Sequence, residues 1–280
     1  MQKEKVKDKL KKKIKFKKIC RDIKKVKIQG ARDIARKSLE AYYLFPTKKS
    51  LKKLFSLRPT EPMMHKVLKL AKKGVSRKKI LEHFDKAQEE INKKVKKIIK
   101  KDEVIFTHCH STNVVNALVY SHKNGKRFQV YNTETRPLYQ GRKTSKEISN
   151  QGIKVTSFVD SALGVALSKE QGTKKVDKVF LGCDAITKEG IINKIGSEVI
   201  AQIAKNEKIP VYIIADSWKY SPTEIPIEQR KINEVWDKAP KKVKIKNPSF
   251  EFVDKKYITK IITELGVMDF DKFLKEVKKN

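Results

Sequence analysis

Short apolar runs separated by helix-length segments constrain the fold of this chain more than any other feature. They begin after Lys101 and occupy residues 104–107, 128–131, 155–159, 176–181, 211–215 and 250–253. Runs of this length that are apolar throughout are typical of strands buried on both faces. Because helix-length segments lie between most of them, the pattern predicts an α/β fold with a doubly wound, Rossmann-like, mostly parallel sheet.

The first hundred residues show a different pattern. Apolar residues such as Val6, Leu10 and Ile14 recur at helical spacing among lysines, and no strand-like alternation interrupts them. The sequence therefore predicts two domains. Residues 1–101 form a basic helical N-terminal domain, of which about the first 20 residues are mobile. Residues 102–280 form the Rossmann-like α/β domain.

Polar and ionisable side chains follow nearly every predicted strand, as in "IFTHCHS", "VYNTETRP", "SFVDSALG", "VFLGCDAI" and "IIADSWKY". In doubly wound sheets the ligand crevice lies at the carboxyl ends of the strands. We therefore expect a site at this edge. The residues expected to converge there are Cys109, Glu134, Asp160, Asp184 and Asp216.

The charge is strongly positive and uneven. The net charge is +35, of which +25 lies in residues 1–100, and only nine of the 67 basic residues are arginine. Sites that read nucleic acid usually use more arginine, because its guanidinium binds phosphates and base edges in a bidentate manner. The composition thus favours a solvated basic surface over a nucleic-acid site. Such a field also attracts anionic small molecules.

Cysteine usage and hydropathy bound the cellular setting. The three cysteines, Cys20, Cys109 and Cys183, are too few and too widely spaced for a disulfide framework or a structural zinc site. A reducing cytoplasm is the expected location. The sequence contains no run of 18 or more apolar residues, so no membrane span is predicted.

The turn "THCHS" leaves two interpretations of Cys109 open. Near a helix N-terminus the thiol would be favoured as thiolate, and a charged His108 or His110 would add to this effect. Alternatively, Cys109 is a buried, inert cysteine. Ser111, with its neighbours Thr112 and Asn113, offers either an anion site or an ordinary helix cap. Metal binding is not expected, since three adjacent residues cannot easily reach one ion.

"LGCDAITKEGIINKIGS" carries the second group of candidates. Asp184 follows a strand, where a dry crevice would raise its pKa and suit it to donate a proton; otherwise it is a turn aspartate. Lys194 and the glycine-flanked turn are candidates for holding a phosphate, although one lysine among 58 means little by itself. In the loop "NTETRPLYQGRKTS", an internal ion pair between Arg136 and Glu134 is favoured over phosphate binding by Arg136.

Together these stretches resemble the superfamily of the alpha, beta and delta subunits of initiation factor 2B, which also contains methylthioribose-1-phosphate isomerase and archaeal ribose-1,5-bisphosphate isomerase. The resemblance covers about residues 20–270 and also rests on "GIKVTSFVDSALG" and "IITELGV". Cys109 combined with Asp184 is similar to the isomerase branches. "THCHS" and the short chain look more like the ribose-bisphosphate enzyme.

The resemblance implies specific roles. Cys109 would accept a proton and Asp184 would donate one, without a metal or other cofactor, while ribose 1,5-bisphosphate becomes ribulose 1,5-bisphosphate in nucleotide salvage of the archaeal type. A crevice between the helical domain and the sheet would hold this phosphorylated pentose. The implied substrate contacts are Gly30, Ala31, Arg32, Arg58, Ser111, Thr112, Asn113, Asn193, Lys194 and Lys219.

The sequence also departs from the family pattern. The family favours "RGAG" where this chain has "QGAR" (residues 29–32), so phosphate binding there depends on Arg32 compensating for the lost arginine. A non-catalytic initiation-factor-like subunit that binds a sugar phosphate or nucleotide, and a methylthioribose-1-phosphate isomerase-like enzyme, remain alternatives. The resemblance further implies self-association as a homodimer or a higher oligomer.

Overall fold

Five helices form the first part of the chain in the computed structural model, which describes residues 2–227 and 230–279. They are α1 (Gln2–Lys24), α2 (Ala31–Leu44), α3 (Lys48–Phe55), α4 (Pro62–Lys72) and α5 (Arg77–Ile98). Local chemistry sets their starts: Thr47 Oγ1 accepts the Ser50 N–H at 3.2 Å, and Pro62 occupies the first turn of α4. The predicted helical N-terminal region is confirmed.

The chain divides into two compact units. The first contains the residues up to Asp85 together with Trp218–Tyr220, and its core includes Ile23, Leu39 and Met64. The second contains Lys86–Ser217 and the residues from Ser221 onward.

The division between the units falls inside α5, whereas helices give way to strands only after Ile98. The reason is the apolar face of the second part of α5. Ile91 and Val95 of α5, together with Ile99 directly after it, are fully buried in the core that also contains residues of the central strands.

A seven-stranded sheet dominates the second unit. Its members are β1 (Glu103–Thr107), β2 (Phe128–Thr133), β3 (Lys154–Phe158), β4 (Lys178–Leu181), β7 (Val211–Ile214), β9 (Lys260–Thr263) and β10 (Gly266–Met268). The order is β10-β9-β7-β4-β1-β2-β3, with only β10 antiparallel to its neighbour. The strand order reverses between β1 and β4, as in a doubly wound sheet. The predicted fold class is confirmed.

A second, three-stranded sheet consists of β5 (Ala185–Ile186), β6 (Gly190–Lys194) and β8 (Phe250–Asp254). The interpretation of residues 250–253 as one more parallel strand is therefore wrong, because β8 pairs antiparallel with β6. The stretch after β4 forms the β5–β6 hairpin, whose two strands are joined by residues 187–189. Gly190 permits the pairing of β6 with β8, since a Cβ there would lie 2.1 Å from the Val253 carbonyl oxygen.

Helices connect most strands of the main sheet. They are α6 (Thr112–Lys123), α7 (Gln140–Ser149), α8 (Leu163–Leu167), α9 (Ser197–Asn206) and the terminal α10 (Phe270–Val277). Across the described residues, every helix is too short or too polar to cross a membrane. Four residues separate the end of β1 from the start of α6, which confines them to one turn at the edge of the sheet.

Candidate functional site

The two residues proposed for proton transfer follow neighbouring strands. The parallel strands β1 and β4 pair with Thr107 opposite Phe180. Cys109 lies two residues beyond the end of β1, and Asp184 lies three residues beyond the end of β4. The strand order reverses between these strands, which is where doubly wound sheets bind ligands.

The turn that carries Cys109 is held by two threonine hydroxyls. The Cys109 N–H donates to Thr135 Oγ1 at 3.0 Å, and Thr144 Oγ1 donates to the Cys109 carbonyl at 2.7 Å. Cys109 itself has a φ of 63°, a left-handed conformation that residues with a side chain rarely adopt. The surrounding bonds therefore fix an uncommon backbone conformation that sets the direction of the thiol.

Burial dominates the electrostatics of this thiol. Loss of solvent raises the pKa of Cys109 to about 11, and the nearby carboxylates of Asp184 and Asp160 add to the rise. The Lys194 ammonium opposes it. The first interpretation from the sequence, a thiolate favoured by the helix N-terminus, does not describe the resting state. Burial outweighs that effect, and the thiol stays protonated at neutral pH. Once deprotonated, such a group is a strong base.

His108 is buried in a single tautomer. Its Nε2 lies 2.8 Å from the Ile195 carbonyl oxygen, which can only accept, so Nε2 carries the hydrogen. Its Nδ1 therefore accepts from Thr133 Oγ1, at 2.5 Å. Burial lowers the pKa of His108 to about 4, so the ring is neutral at physiological pH.

His110 has a separate set of partners from its two neighbours. Its Nδ1 lies 3.0 Å from Thr144 Oγ1, and its Nε2 lies 3.8 Å from Glu147 Oε2. The imidazoles of His108 and His110 thus contact different threonines. The three threonines at positions 133, 135 and 144 are not among the predicted site residues. Their only signal in the sequence is their placement in "NTETRP" and "GRKTS", at the end of β2 and in α7.

Asp160, another residue expected at this edge, organises the loop after β2. Its carboxylate accepts the backbone N–H groups of Thr135, at 2.9 Å, and Arg136, at 2.6 Å. The predicted ion pair between Glu134 and Arg136 is wrong. Glu134 pairs with Arg142 at 2.5 Å, whereas the Arg136 guanidinium donates to the Tyr139 hydroxyl and lies over its ring. The reason is α7, which begins directly after Tyr139 and brings Arg142 back to the loop.

The predicted anion site at the start of α6 is used in part for capping. Ser111 Oγ accepts the Val114 N–H at 3.4 Å, and Thr112 is the first helical residue. Asn113 Nδ2 donates to Gln88 Oε1 at 2.9 Å. Gly182 approaches this cap closely, because a Cβ there would lie 2.4 Å from Ser111 Oγ. The close approach holds the α6 start against the end of β4.

Asn193 and Lys194 end β6, beside Asp184. The Asp184 N–H donates to the Ile192 carbonyl at 2.9 Å. Asn193 Nδ2 donates to Ser197 Oγ at 2.8 Å, and Ser197 Oγ donates to the Lys194 carbonyl at 2.6 Å. The Lys194 Nζ lies 4.8 Å from the centre of the Phe250 ring. Lys194 is therefore a buried cation on a braced segment.

The carboxyl group of Glu251 lies at the start of helix α9. Glu251 accepts the Glu198 N–H at 2.8 Å, and the backbone N–H groups of Gly196 and Ser197 lower its pKa, although burial raises it overall. The glycine-flanked turn was a candidate for holding a phosphate. The Glu251 side chain occupies the N-terminus of α9, where a phosphate would otherwise bind. Of the predicted phosphate site, only Lys194 is therefore available to a phosphate.

The other predicted contact residues lie in the first compact unit. Gly30 caps α2 with a φ of 82°, and Ala31 is the buried first residue of that helix. Arg32 pairs with Asp85 at 2.5 Å. Arg58 and Glu61 form a buried pair at 3.2 Å.

Lys219, the last of these contacts, is buried at the end of the short helical turn Ser217–Lys219. The structure thus places seven of the predicted site residues in the sheet-containing unit and five in the helical unit. The seven are Cys109, Ser111, Thr112, Asn113, Asp184, Asn193 and Lys194. The five are Gly30, Ala31, Arg32, Arg58 and Lys219.

Curated relatives cover most of the chain. Ribose 1,5-bisphosphate isomerase of Archaeoglobus fulgidus is 32% identical, over 88% of this chain and 87% of the relative. The protein of the same name from Methanocaldococcus jannaschii is 36% identical, over 77% of this chain and 74% of the relative. Methylthioribose-1-phosphate isomerase of Geotalea uraniireducens is 37% identical, over 64% and 57%.

Solved structures agree in fold. Translation initiation factor eIF-2B of Pyrococcus horikoshii OT3 superposes with a TM-score of 0.78 at 24% identity, covering 91% of this chain and 96% of that chain. The 5-methylthioribose 1-phosphate isomerase of the same organism gives 0.75 at 23% identity, covering 94% and 87%. At these identities the likeness establishes the architecture alone.

The sequence itself establishes the family. A model of the initiation factor 2 subunit family matches residues 47–270, which include the turns after β1, β2 and β4. With this match across most of its length, and with relatives at 32% and 36% identity, the chain belongs to the initiation factor 2 subunit family.

Proposed function

We propose that this protein is a sugar-phosphate isomerase that converts ribose 1,5-bisphosphate to ribulose 1,5-bisphosphate. One observation carries the proposal most directly. A thiol and a carboxylate, Cys109 and Asp184, follow the two neighbouring strands at which the order of a doubly wound sheet reverses. The names of the relatives that cover most of the chain support the same reaction.

The reaction is an internal redistribution of hydrogen. The furanose ring opens as the ring oxygen takes up a proton, and carbon 2 loses its carbon-bound proton. Carbon 1 then gains a proton while the carbon 2 hydroxyl loses its own and becomes the ketone, so two protons are lost and two are gained. No electrons leave the sugar, so the step needs a base and an acid and no redox cofactor. In this proposal Cys109 takes the proton from carbon 2, and Asp184 delivers a different proton to carbon 1.

The surroundings of Cys109 suit a base that acts inside a dry site. Burial raises the pKa of the thiol to about 11, so the thiolate binds a proton strongly once it forms. The Lys194 ammonium favours that thiolate. The threonine bonds to the Cys109 backbone keep the sulfur in place, which preserves the alignment that proton transfer requires.

The two phosphates need cationic and N–H donors. We assign Lys194 and Asn193, with the α6 start at Ser111, Thr112 and Asn113, to contacts from the sheet-containing unit. The remaining contacts carried over from the family are Gly30, Ala31, Arg32, Arg58 and Lys219. Arg32 compensates for the arginine missing at position 29 only by exchanging its bond to Asp85 for one to a phosphate. We also expect self-association of the chain and a cytoplasmic location.

A turnover assay tests the proposal. The purified protein is incubated with ribose 1,5-bisphosphate, and ketose formation is followed. We expect Cys109→Ser and Asp184→Asn each to lower kcat by at least roughly a hundredfold, because each removes one proton-transfer group. Circular dichroism and melting temperature verify that both variants fold. Near-normal turnover in either variant would contradict the proton-transfer role assigned to that residue.

The methylthioribose-1-phosphate isomerase-like alternative rests on the 37% identity to the Geotalea protein. Both reactions use the same acid and base and differ in the group on carbon 5. The assay therefore includes 5-methylthioribose 1-phosphate at matched concentration. A higher kcat/KM for that sugar would replace the proposed substrate and leave the proton-transfer roles intact. Tight binding of either sugar without conversion would favour a non-catalytic subunit.

A further inference from the structure

The proposed chemistry leaves His108 without a task. The residue is 3% exposed, directly precedes Cys109, and uses both ring nitrogens. A neutral imidazole with fixed hydrogen-bond partners neither exchanges protons readily nor reaches solvent. Its position therefore points to a geometric role.

The His108 ring joins three parts of the sheet-containing unit. His108 directly follows β1, its ring accepts from Thr133 at the end of β2, and it donates to Ile195, between β6 and α9. The backbone at Gly196 is shaped around the ring: its φ is 100°, and a Cβ would lie 3.3 Å from the His108 Cε1 and Nε2 atoms. The ring and the Ile195–Gly196 backbone therefore fit closely.

The segment that His108 holds is the one that carries Lys194. Ile195 follows Lys194 directly, and Ser197 Oγ binds the Lys194 carbonyl from the other side. Within the described residues, the Lys194 Nζ forms no hydrogen bond or ion pair, and it lies over the Phe250 ring. The charged groups that act on the Cys109 thiol are Lys194, Asp184 and Asp160, and Lys194 is the cation among them.

We propose that His108 is a positioning residue: by donating Nε2–H to the Ile195 carbonyl, it holds the Lys194 ammonium beside the Cys109 thiol. The role in turnover rests on the proposed isomerase function. The hydrogen bond and its effect on the thiol do not, so they can be measured without a sugar substrate.

Two substitutions separate the two bonds of His108. A glutamine amide reaches the place of Nε2, so His108→Gln keeps the donor to Ile195 and loses the acceptor for Thr133. An asparagine amide reaches only the place of Nδ1, so His108→Asn keeps the Thr133 bond and loses the Ile195 bond. Each variant leaves one buried bond unmade, and melting temperatures check that both fold.

The readout is the rate at which iodoacetamide alkylates Cys109, resolved by peptide mass spectrometry in the full chain, between roughly pH 7 and 9.5. Only the thiolate reacts. We expect His108→Asn to react about twofold to threefold more slowly than the unsubstituted protein at each pH, because its thiolate loses the support of Lys194. We expect His108→Gln to react at the unsubstituted rate.

A double substitution completes the test. Lys194→Met removes the ammonium and should slow alkylation by itself, and His108→Asn should then add no further effect. Unchanged alkylation in His108→Asn, an equal decrease in His108→Gln, or additive effects in the double variant would each overturn the positioning role. If the alkylation results hold while ribose 1,5-bisphosphate is not converted, the isomerase proposal fails and the positioning role stands.

Discussion

At the scale of single residues, Cys109 shows how burial and charge oppose each other. Desolvation is the largest influence and raises the pKa of the thiol to about 11, with Asp184 and Asp160 acting in the same direction and Lys194 against it. The resting thiol is protonated, so its deprotonation is part of the barrier in the proposed mechanism. If Cys109 is the base, the rate should rise with pH as the thiolate forms. This dependence can be read directly once the acid partner, Asp184, is replaced by a residue that does not ionise.

The Asp184→Asn variant provides that condition. Asparagine does not ionise, so the residual kcat/KM should follow the thiolate fraction of Cys109. A raised pKa means that this fraction grows about tenfold for each pH unit well below about pH 11. We therefore expect log kcat/KM of this variant to rise with a slope near one between roughly pH 7.5 and 9.5. A rate independent of pH in that range would contradict the role of Cys109 as base.

At the scale of elements, the contact between the end of β4 and the start of α6 supports the turn that carries Cys109. A Cβ at Gly182 would lie 2.4 Å from Ser111 Oγ and 2.5 Å from Ser111 Cβ. Gly182→Ala should therefore displace the helix cap and lower the free energy of unfolding by about 1–3 kcal/mol. Chemical denaturation measures this change, and kcat should fall with it.

A second substitution serves as the control for this clash. Ser111→Gly removes both atoms that the new methyl group would meet, and glycine at a helix cap costs only a few tenths of a kcal/mol. The Ser111→Gly/Gly182→Ala protein should therefore regain most of the stability lost in Gly182→Ala. Equal losses in the single and double variants would show that the close approach does not limit packing here.

At the scale of the whole molecule, the sequence predicted the helical N-terminal region and the mostly parallel sheet that follows it. It did not predict the second, three-stranded sheet. Five apolar runs became parallel strands because burial on both faces leaves a direct mark in the sequence. The sixth run joined β6 instead, since pairing between segments more than fifty residues apart leaves no local pattern. Likewise, the sequence placed Cys109 and Asp184 at strand ends, but not the close approach of Gly182 to Ser111.

The net charge of +35 gives a further prediction at this scale. A positive field attracts a doubly phosphorylated sugar, and salt screens that attraction. Raising the ionic strength from about 0.05 to 0.25 M should lower kcat/KM severalfold with little change in kcat. Sucrose at matched osmolality, which leaves the field unscreened, should have little effect. A kcat/KM that does not respond to salt would show that the charge is a solvated surface without influence on the substrate.

Isotope transfer tests the central claim most directly. If Cys109 removes the carbon 2 proton and Asp184 supplies a different one to carbon 1, turnover of ribose 1,5-bisphosphate in D₂O must place deuterium on carbon 1 of the product. We expect close to one deuterium per molecule after a single turnover, read by NMR or mass spectrometry, because the Asp184 carboxyl group exchanges with solvent. Product with its original hydrogen moved intact to carbon 1 would contradict transfer between two separate residues.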